Sequence, residues 1–449
     1  MDLTLALINI PICLGVLFYC VNAMKAGVNG LLPGFLAVYV LTNCLGLSVI
    51  KEVLTSGSLR TGNIDFPFDS AYFIWQCFAH WMFLLAGLFV LLVVYQTANV
   101  VPIPESPGLR RSFLVCAALT MACGIAFYLP YMFFGPGFEL LQGAQIFHSD
   151  FDEASEYRRE MMNSLVAGQG YLRAQIAANG LLPLTVFFVL NSSVSRTIGF
   201  SVTGICFSMS FCYALCLRQK APLVICVLCY LGLFLASRLS ADRRHSGVLR
   251  RAKQYGIALA FAAVFGLGGL YWATEGDDAI GAAEKAVLRN CVTPAAASHM
   301  WFYVFPERFG YRGFLESLHI VPASVSKDSI TIEDVAVRAT GAEFMANASL
   351  IAIGWSGYGM AGVALVTCCF YGVLVMLDMV VRRMPVKSQM GIVALSVSSI
   401  LQLTSGSFSD FIVGGSLLAV VAVCCVYKFS ELSDNPHASR SGSSFYSTR

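Results

Sequence analysis

The stretch AYFIWQCFAHWMFLLAGLFVLLVVYQT, residues 71–97, contains no Asp, Glu, Lys or Arg. About 20 mostly apolar residues cross the hydrocarbon core of a bilayer as a helix, so this stretch reads as one complete span. The rest of the chain repeats the pattern. Of its 449 residues 57% are hydrophobic and 12% charged, and the mean hydropathy is +0.71. A soluble domain is closer to a quarter charged. The class is therefore an all-α, polytopic membrane protein. Spans are predicted near 3–24, 29–50, 71–97, 113–134, 171–191, 197–217, 221–237, 255–273, 357–380, 390–405 and 409–428, about eleven within a range of 10–12. The apolar segment 344–355 is short. It reads either as a re-entrant or interfacial helix or as the start of one long tilted span.

The first segment lacks the basic n-region and cleavage site of a signal peptide and is read as a retained span. The 16 cysteines fall almost wholly in apolar runs, with Cys291 in a polar loop, so packing is expected and not a disulfide framework. There is no CxxC, no His/Cys cluster with metal-ligand spacing and no GxxxxGK[ST]. Neither a metal nor a cofactor is expected, and no nucleic-acid partner.

Orientation follows from the basic residues, which concentrate in cytoplasmic loops. RLSADRRHSGVLRRAK, residues 238–253, sets six Lys and Arg against Asp242. RRMPVK (382–387) and LRR (109–111) agree with it. One integral membrane domain over 1–449 then carries a basic cytoplasmic loop at 238–254 and a disordered cytoplasmic tail at 430–449. Two large loops fall on the outer side, at 135–170 and 274–343. The second holds ten acids and six bases. It is too polar for lipid and too aromatic for a plain linker, so a folded cap is expected. LRQKAP (217–222) places Arg218 and Lys220 outside against the rule. Either a span is miscounted or an anion site lies there.

The outer cations are Arg158, Arg159, Arg173, Arg218, Lys220, Arg308 and Arg312. Arg173 stands just inside a predicted span, where a charge must snorkel outward or face a polar cavity. Guanidinium groups suit bidentate phosphate binding. Lipid-linked sugar pyrophosphates are the recurrent polyanions of the outer leaflet, and their own leaving group supplies the energy for transfer. Such chemistry needs cations for the developing charge and a base for the acceptor hydroxyl.

YVFPERFGYRG, residues 303–313, offers both. Pro306 suits the first turn of a helix. On that helix Arg308, Arg312, Glu316 and His319 would share a face at spacings of four, four and three. The alternative is an exposed amphipathic helix held by an Arg312–Glu316 pair. Trp301, Phe302, Tyr303, Phe305 and Phe309 read either as interfacial anchors or as platforms for sugar rings. His80, alone in its span, reads as a packed hydrogen-bonding residue or a functional one.

This layout resembles the Wzy-type polymerases of bacterial O-antigen and oligosaccharide repeat units. GQGYLRAQIAANGLLPLTVFFVL (168–190) is similar to the span after their first outer loop. HMWFYVFPERFGYRG (299–313) with LHIVP resembles their arginine-bearing large loop. TGAEFMANASLIAIGWSGYGMAGVAL (340–365) resembles their acid, Asn and G-x-x-G pattern, here Glu343, Asn347, Gly354 and Gly357. Arg159 and Gly170 have R-x10-G spacing. A second R-x10-G is not evident, since His319 and Ala323 stand eleven residues after Arg308 and Arg312.

The resemblance implies a metal-independent glycosyltransferase of the bacterial inner membrane, with a periplasmic site and a cytoplasmic C-terminus. Its substrate would be an undecaprenyl-pyrophosphate-linked glycan drawn from the lipid bilayer. A hydroxyl of the incoming unit would attack the anomeric carbon of the growing chain, and undecaprenyl pyrophosphate would leave. Arg218, with Arg173 or Arg308, would hold the pyrophosphate; Arg159, Lys220, Arg312, Glu343 and Asn347 would complete the substrate contacts. Glu307, Glu316 or His319 would be the base. A chain-length co-polymerase is a further implied partner. Two alternatives stand beside this reading: an O-antigen ligase or other lipid-linked glycosyltransferase, and a transporter or flippase of lipid-linked saccharide.

Overall fold

Inside lipid the backbone must satisfy its own hydrogen bonds, and a helix does this within one segment. The computed structural model describes residues 2–25, 31–56, 67–96, 107–133, 169–192, 194–216, 220–238, 279–313, 330, 332–341, 349–402 and 417–434. Every regular element among the described residues is helical. The first group comprises α1 (Asp2–Lys25), α2 (Leu31–Tyr39), α3 (Ile50–Ser56), α4 (Ser70–Gln96) and α5 (Pro107–Phe133). Then come α6 (Gln169–Ile176), α7 (Leu182–Asn191), α8 (Arg196–Cys216) and α9 (Lys220–Arg238). The last group comprises α10 (Ala279–Val287), α11 (Thr293–Val304), α12 (Ile332–Thr340), α13 (Leu350–Tyr358), α14 (Met360–Val381), α15 (Val386–Leu395), α16 (Val397–Gln402) and α17 (Leu417–Asp434). A π turn at Val40–Cys44 and a 3-10 turn at Leu45–Ser48 extend α2, and π turns at Ala177–Leu181 and Leu288–Val292 join α6 to α7 and α10 to α11.

Among the described residues seven helical segments are long and apolar enough to cross a membrane. They are Leu3–Ala23, Leu31–Ser48, Ser70–Val93, Gly108–Phe133, Arg173–Asn191, Arg196–Cys216 and Met360–Val381. Each coincides with a predicted span. The shorter apolar helices Pro222–Arg238 and Leu417–Ser430 stand where two more are predicted. The predicted span at 255–273 lies outside the described residues. The one at 390–405 is interrupted at Ser396, between α15 and α16. Helix α17 runs to Asp434, past the start predicted for the polar tail.

The helices pack as two groups. In one, α4 packs on α1, α11 and α14, and α11 packs on α13. In the other, α7 packs on α5 and α8, and α9 on α8 and α15. Helix α17 packs on both α5 and α14, with Tyr427 against Phe113 at 5.4 Å between ring centroids.

Segment 344–355 is neither a continuation of α14 nor the start of one long span. Its described part belongs to α13, which turns back at Gly359 (φ +59) and lies along α14. The return brings two backbones together. A Cβ on Gly362 would stand 2.0 Å from the carbonyl oxygen of Gly354. The close-approach pair is thus Gly354 with Gly362, across the turn.

The helix predicted to begin at Pro306 does not form. Helix α11 ends at Val304, and Phe305 is extended at φ −103, ψ 136, as the residue before a proline prefers. Gly310 (φ +62) and Gly313 (φ +86) then adopt a conformation open to glycine and foreign to a right-handed helix. Arg308 and Arg312 therefore share no helical face.

The aromatic residues are also reassigned. Trp301, Phe302 and Phe305 are buried in the core. Phe302 stacks on Trp355 at 4.7 Å, and Trp301 on Phe305 at 5.7 Å. These three rings neither anchor in an interface nor present a face to a sugar. His80 is buried between helices, with Nδ1 2.7 Å from the Tyr39 hydroxyl.

The basic run 382–387 has structural partners of its own. Arg382 Nε lies 2.6 Å from the buried Asp378 carboxylate. Lys387 Nζ donates to the Leu190 carbonyl at 2.6 Å, a cation at the C-terminal end of α7.

Candidate functional site

The site begins where α11 stops. Trp355 Nε1 donates to the Phe305 carbonyl at 3.0 Å, fixing the exit from the helix. Arg308 N–H donates to Val304 O at 2.9 Å, and Gly310 N–H to Pro306 O at 2.7 Å, which closes a tight turn. Arg312 N–H donates to Ser356 O at 3.0 Å, so the far side of the turn is tied to the end of α13.

Two arginines on or beside this turn have aromatic platforms. The Arg308 guanidinium lies over the Tyr303 ring at 4.4 Å and donates to its hydroxyl. It also donates through Nη1 to the Arg338 carbonyl at 2.6 Å. Arg338, on α12, lies over Phe309 at 6.0 Å. Both arginines are exposed. No carboxylate pairs with Arg308 among the described residues, and both of its hydrogen-bond acceptors are neutral oxygens. A guanidinium has more N–H donors than these two acceptors use. Arg312 is half-buried and donates through Nη2 to Ile330 O at 2.7 Å.

Glu307 is exposed beside them, with the Tyr72 hydroxyl near its carboxylate. Tyr72 meets Tyr303 edge-on at 5.8 Å. It stands in the first turn of α4, where the Asp69 carboxylate accepts from Ala71 N–H at 2.7 Å and Tyr72 N–H at 3.3 Å. An acidic cap at a helix N-terminus fixes that turn.

His299 secures α11 to the same end of α4. Asp69 N–H donates to its Nε2 at 3.2 Å, and its Nδ1 lies 2.9 Å from Gln76 Oε1. Nε2 accepts, so Nδ1 carries the proton and donates to Gln76. Gln76 Nε2 passes the series on to Ala295 O at 2.8 Å. Burial pushes the His299 pKa down to about 4, with the Asp69 charge working the other way. A neutral, fully bonded imidazole of this kind is a fastener between helices.

The arginine turn and the basic run 382–387 sit at opposite ends of α14. Its 22 residues make it about 33 Å long, close to the thickness of a hydrocarbon core. No protein-family model matches the chain, nor does any curated protein or solved structure. The site is therefore read from its own chemistry.

Of the residues singled out in the sequence, Glu307, Arg308 and Arg312 come together here. Arg173 is exposed on α6, which packs against α5, and Lys220 opens α9, which packs against α8 and α15. Neither helix is among the elements that build the turn. Arg159, Arg218, Glu316, His319, Glu343 and Asn347 lie outside the described residues. Sequence reasoning missed Arg338 and Tyr72. Arg338 meets Arg308 only through its backbone carbonyl, which leaves no mark in residue type. Tyr72 carried the signal of a hydroxyl in the first turn of a span. Among the described residues no group of His, Cys, Asp or Glu could hold a metal ion.

Proposed function

We propose that the chain is a membrane glycosyltransferase that polymerises undecaprenyl-pyrophosphate-linked oligosaccharide repeat units at the periplasmic face. The growing glycan passes to the incoming lipid-linked unit. A hydroxyl of that unit attacks the anomeric carbon, the bond to the pyrophosphate oxygen breaks, and undecaprenyl pyrophosphate departs. Arg308 takes up charge on the departing pyrophosphate. Glu307 receives the proton of the attacking hydroxyl, with the Tyr72 hydroxyl near its carboxylate. The basic runs at the opposite end support an outer position for the turn by the positive-inside rule.

The observation that carries this reading is the state of Arg308. It is an exposed guanidinium set on Tyr303, bonded to neutral acceptors, with a carboxylate on the adjacent residue. A fixed cation whose charge is not already neutralised is what an anionic leaving group requires. The likeness of 299–313 and 340–365 to the polymerase loops supplies the substrate.

The test is a repeat-ladder gel on a strain carrying Arg308→Ala at normal protein level. The expected result is lipid A core capped with a single unit. A ladder of unchanged length and amount would overturn the assignment, and a bare core would point to the ligase.

A further inference from the structure

Helices α8 and α9 pack on each other as an antiparallel pair. Arg196 opens the first and Arg238 closes the second, so both cations stand at one end. The chain reaches that end through Leu190, whose carbonyl accepts from Lys387 at 2.6 Å. It is the end of the bundle where the basic runs lie.

The Arg238 guanidinium lies over two rings. Its carbon is 4.9 Å from the Phe234 centroid and 5.7 Å from that of Phe200, and the two rings are 6.0 Å apart. Phe234 stands one turn back on α9, and Phe200 belongs to α8, so the guanidinium bridges the helices. Its stem runs along apolar surface and its head reaches the end of the span, as a snorkelling arginine does. Phe200, Ile198 and Ile205 are exposed on α8, a surface suited to acyl chains.

No acid answers these charges. Residues 196–216 and 220–238 contain no Asp or Glu. Among the described residues no carboxylate pairs with Arg196 or Arg238. The positive-inside rule accounts for cations at this end, but it asks for no rings beneath them. Arg111, exposed in the first turn of α5, meets the rule without a ring contact among the described residues.

We propose that Arg238, with Phe200, Phe234 and Arg196, forms a binding site for the headgroup of a net-anionic glycerophospholipid such as phosphatidylglycerol. Ring contacts hold the guanidinium in place and consume none of its N–H donors. Two of those donors suit the paired oxygens of a phosphodiester. Arg196 adds a second positive charge, which opposes the ammonium of a zwitterionic headgroup. The exposed apolar side chains favour a lipid over free phosphate, which would gain nothing from them. The site stands apart from the arginine turn and does not rest on the glycosyltransferase reading.

The experiment titrates purified full-length protein in detergent with phosphatidylglycerol or phosphatidylcholine, and native mass spectrometry reads the Kd of the first bound lipid. Wild type is expected to bind phosphatidylglycerol the more tightly. Arg238→Gln should weaken that binding about fivefold, the share of one cation at an anionic surface. The double variant Phe200→Leu, Phe234→Leu should weaken it about two- to fivefold, and Arg111→Gln should leave it unchanged. Equal losses in Arg111→Gln and Arg238→Gln would overturn the site and leave only diffuse surface charge. Equal affinity of the wild type for the two lipids would overturn it without recourse to any variant. Displacement of phosphatidylglycerol by an equal concentration of inorganic phosphate would assign the site to a free anion and overturn the lipid.

Discussion

Arg308 and Tyr303 hold each other as a pair: the guanidinium carbon lies 4.4 Å from the ring centroid, and the same guanidinium donates to the phenol oxygen. One residue supplies the charge and the other its aim. Their contributions can be separated. Tyr303→Phe keeps the ring and removes the acceptor; Tyr303→Leu removes both. A cation–π contact at an exposed site is worth about 0.5–1 kcal/mol. Tyr303→Leu should therefore raise the KM for lipid-linked donor by about two- to fivefold, and Tyr303→Phe by less. Arg308→Lys keeps the charge without the planar fork and should shorten the ladder at constant protein level. Polymerisation kinetics in membrane vesicles check all three.

Glu307 and Tyr72 form the second pair. Glu307→Gln removes a proton acceptor and should lower kcat by about 10²–10⁴-fold, the range for a lost general base. Tyr72→Phe removes the neighbouring hydroxyl and leaves the carboxylate, so a smaller loss is expected. Equal losses in the two variants would show that Glu307 does not act as the base. Single-turnover transfer with purified protein separates these outcomes from changes in binding.

The turn between α13 and α14 depends on a glycine contact. A Cβ at residue 362 would meet the Gly354 carbonyl at 2.0 Å, a backbone atom that cannot swing aside. Gly362→Ala should destabilise the protein by about 1–3 kcal/mol, as overpacking does. Gly372, on the same helix, has nothing within 4 Å of the same position. Gly372→Ala should be neutral or slightly stabilising. Thermal unfolding in detergent compares them directly.

His299 makes stability depend on pH. Its folded pKa is about 4, against 6.5 in the unfolded chain. Between those values the unfolded chain binds a proton that the folded one refuses. The contribution is complete above pH 6.5, falls as pH drops, and levels off near pH 4. The full change is on the order of 3 kcal/mol. His299→Asn should flatten this part of the stability curve. Denaturation midpoints measured from pH 7 down to about 4 test it.

The membrane class and most spans were legible because they depend on run length alone. Helix α4 is 27 residues without a charge, and no other element type fits such a run in lipid. The hairpin at Gly359 was half legible. Segment 344–355 read either as a re-entrant or interfacial helix or as the start of one long tilted span, and the approach of Gly354 to Gly362 shows that the chain reverses. The helix expected from Pro306 failed for a local reason. Spacing of i, i+4 assumes right-handed backbone throughout, and Gly310 and Gly313 leave it. Half of the site was visible as Glu307, Arg308 and Arg312 in one short stretch. Arg338 and Tyr72 reach it from residues far away in sequence, through a carbonyl and a phenol that composition does not distinguish.

Helix α17 bears on the order of assembly. It packs on α5 from one helix group and α14 from the other, and Tyr427 reaches Ser388 at 2.7 Å, which in turn contacts Asn191. It leaves the ribosome after every other described helix. Helix α16 packs on both α2 and α9, so the two groups already touch before α17 is made. Domains generally form from the N-terminus during synthesis, so α17 closes last over a joint already begun, and a stop codon ahead of residue 417 would yield a loosened bundle whose halves still meet.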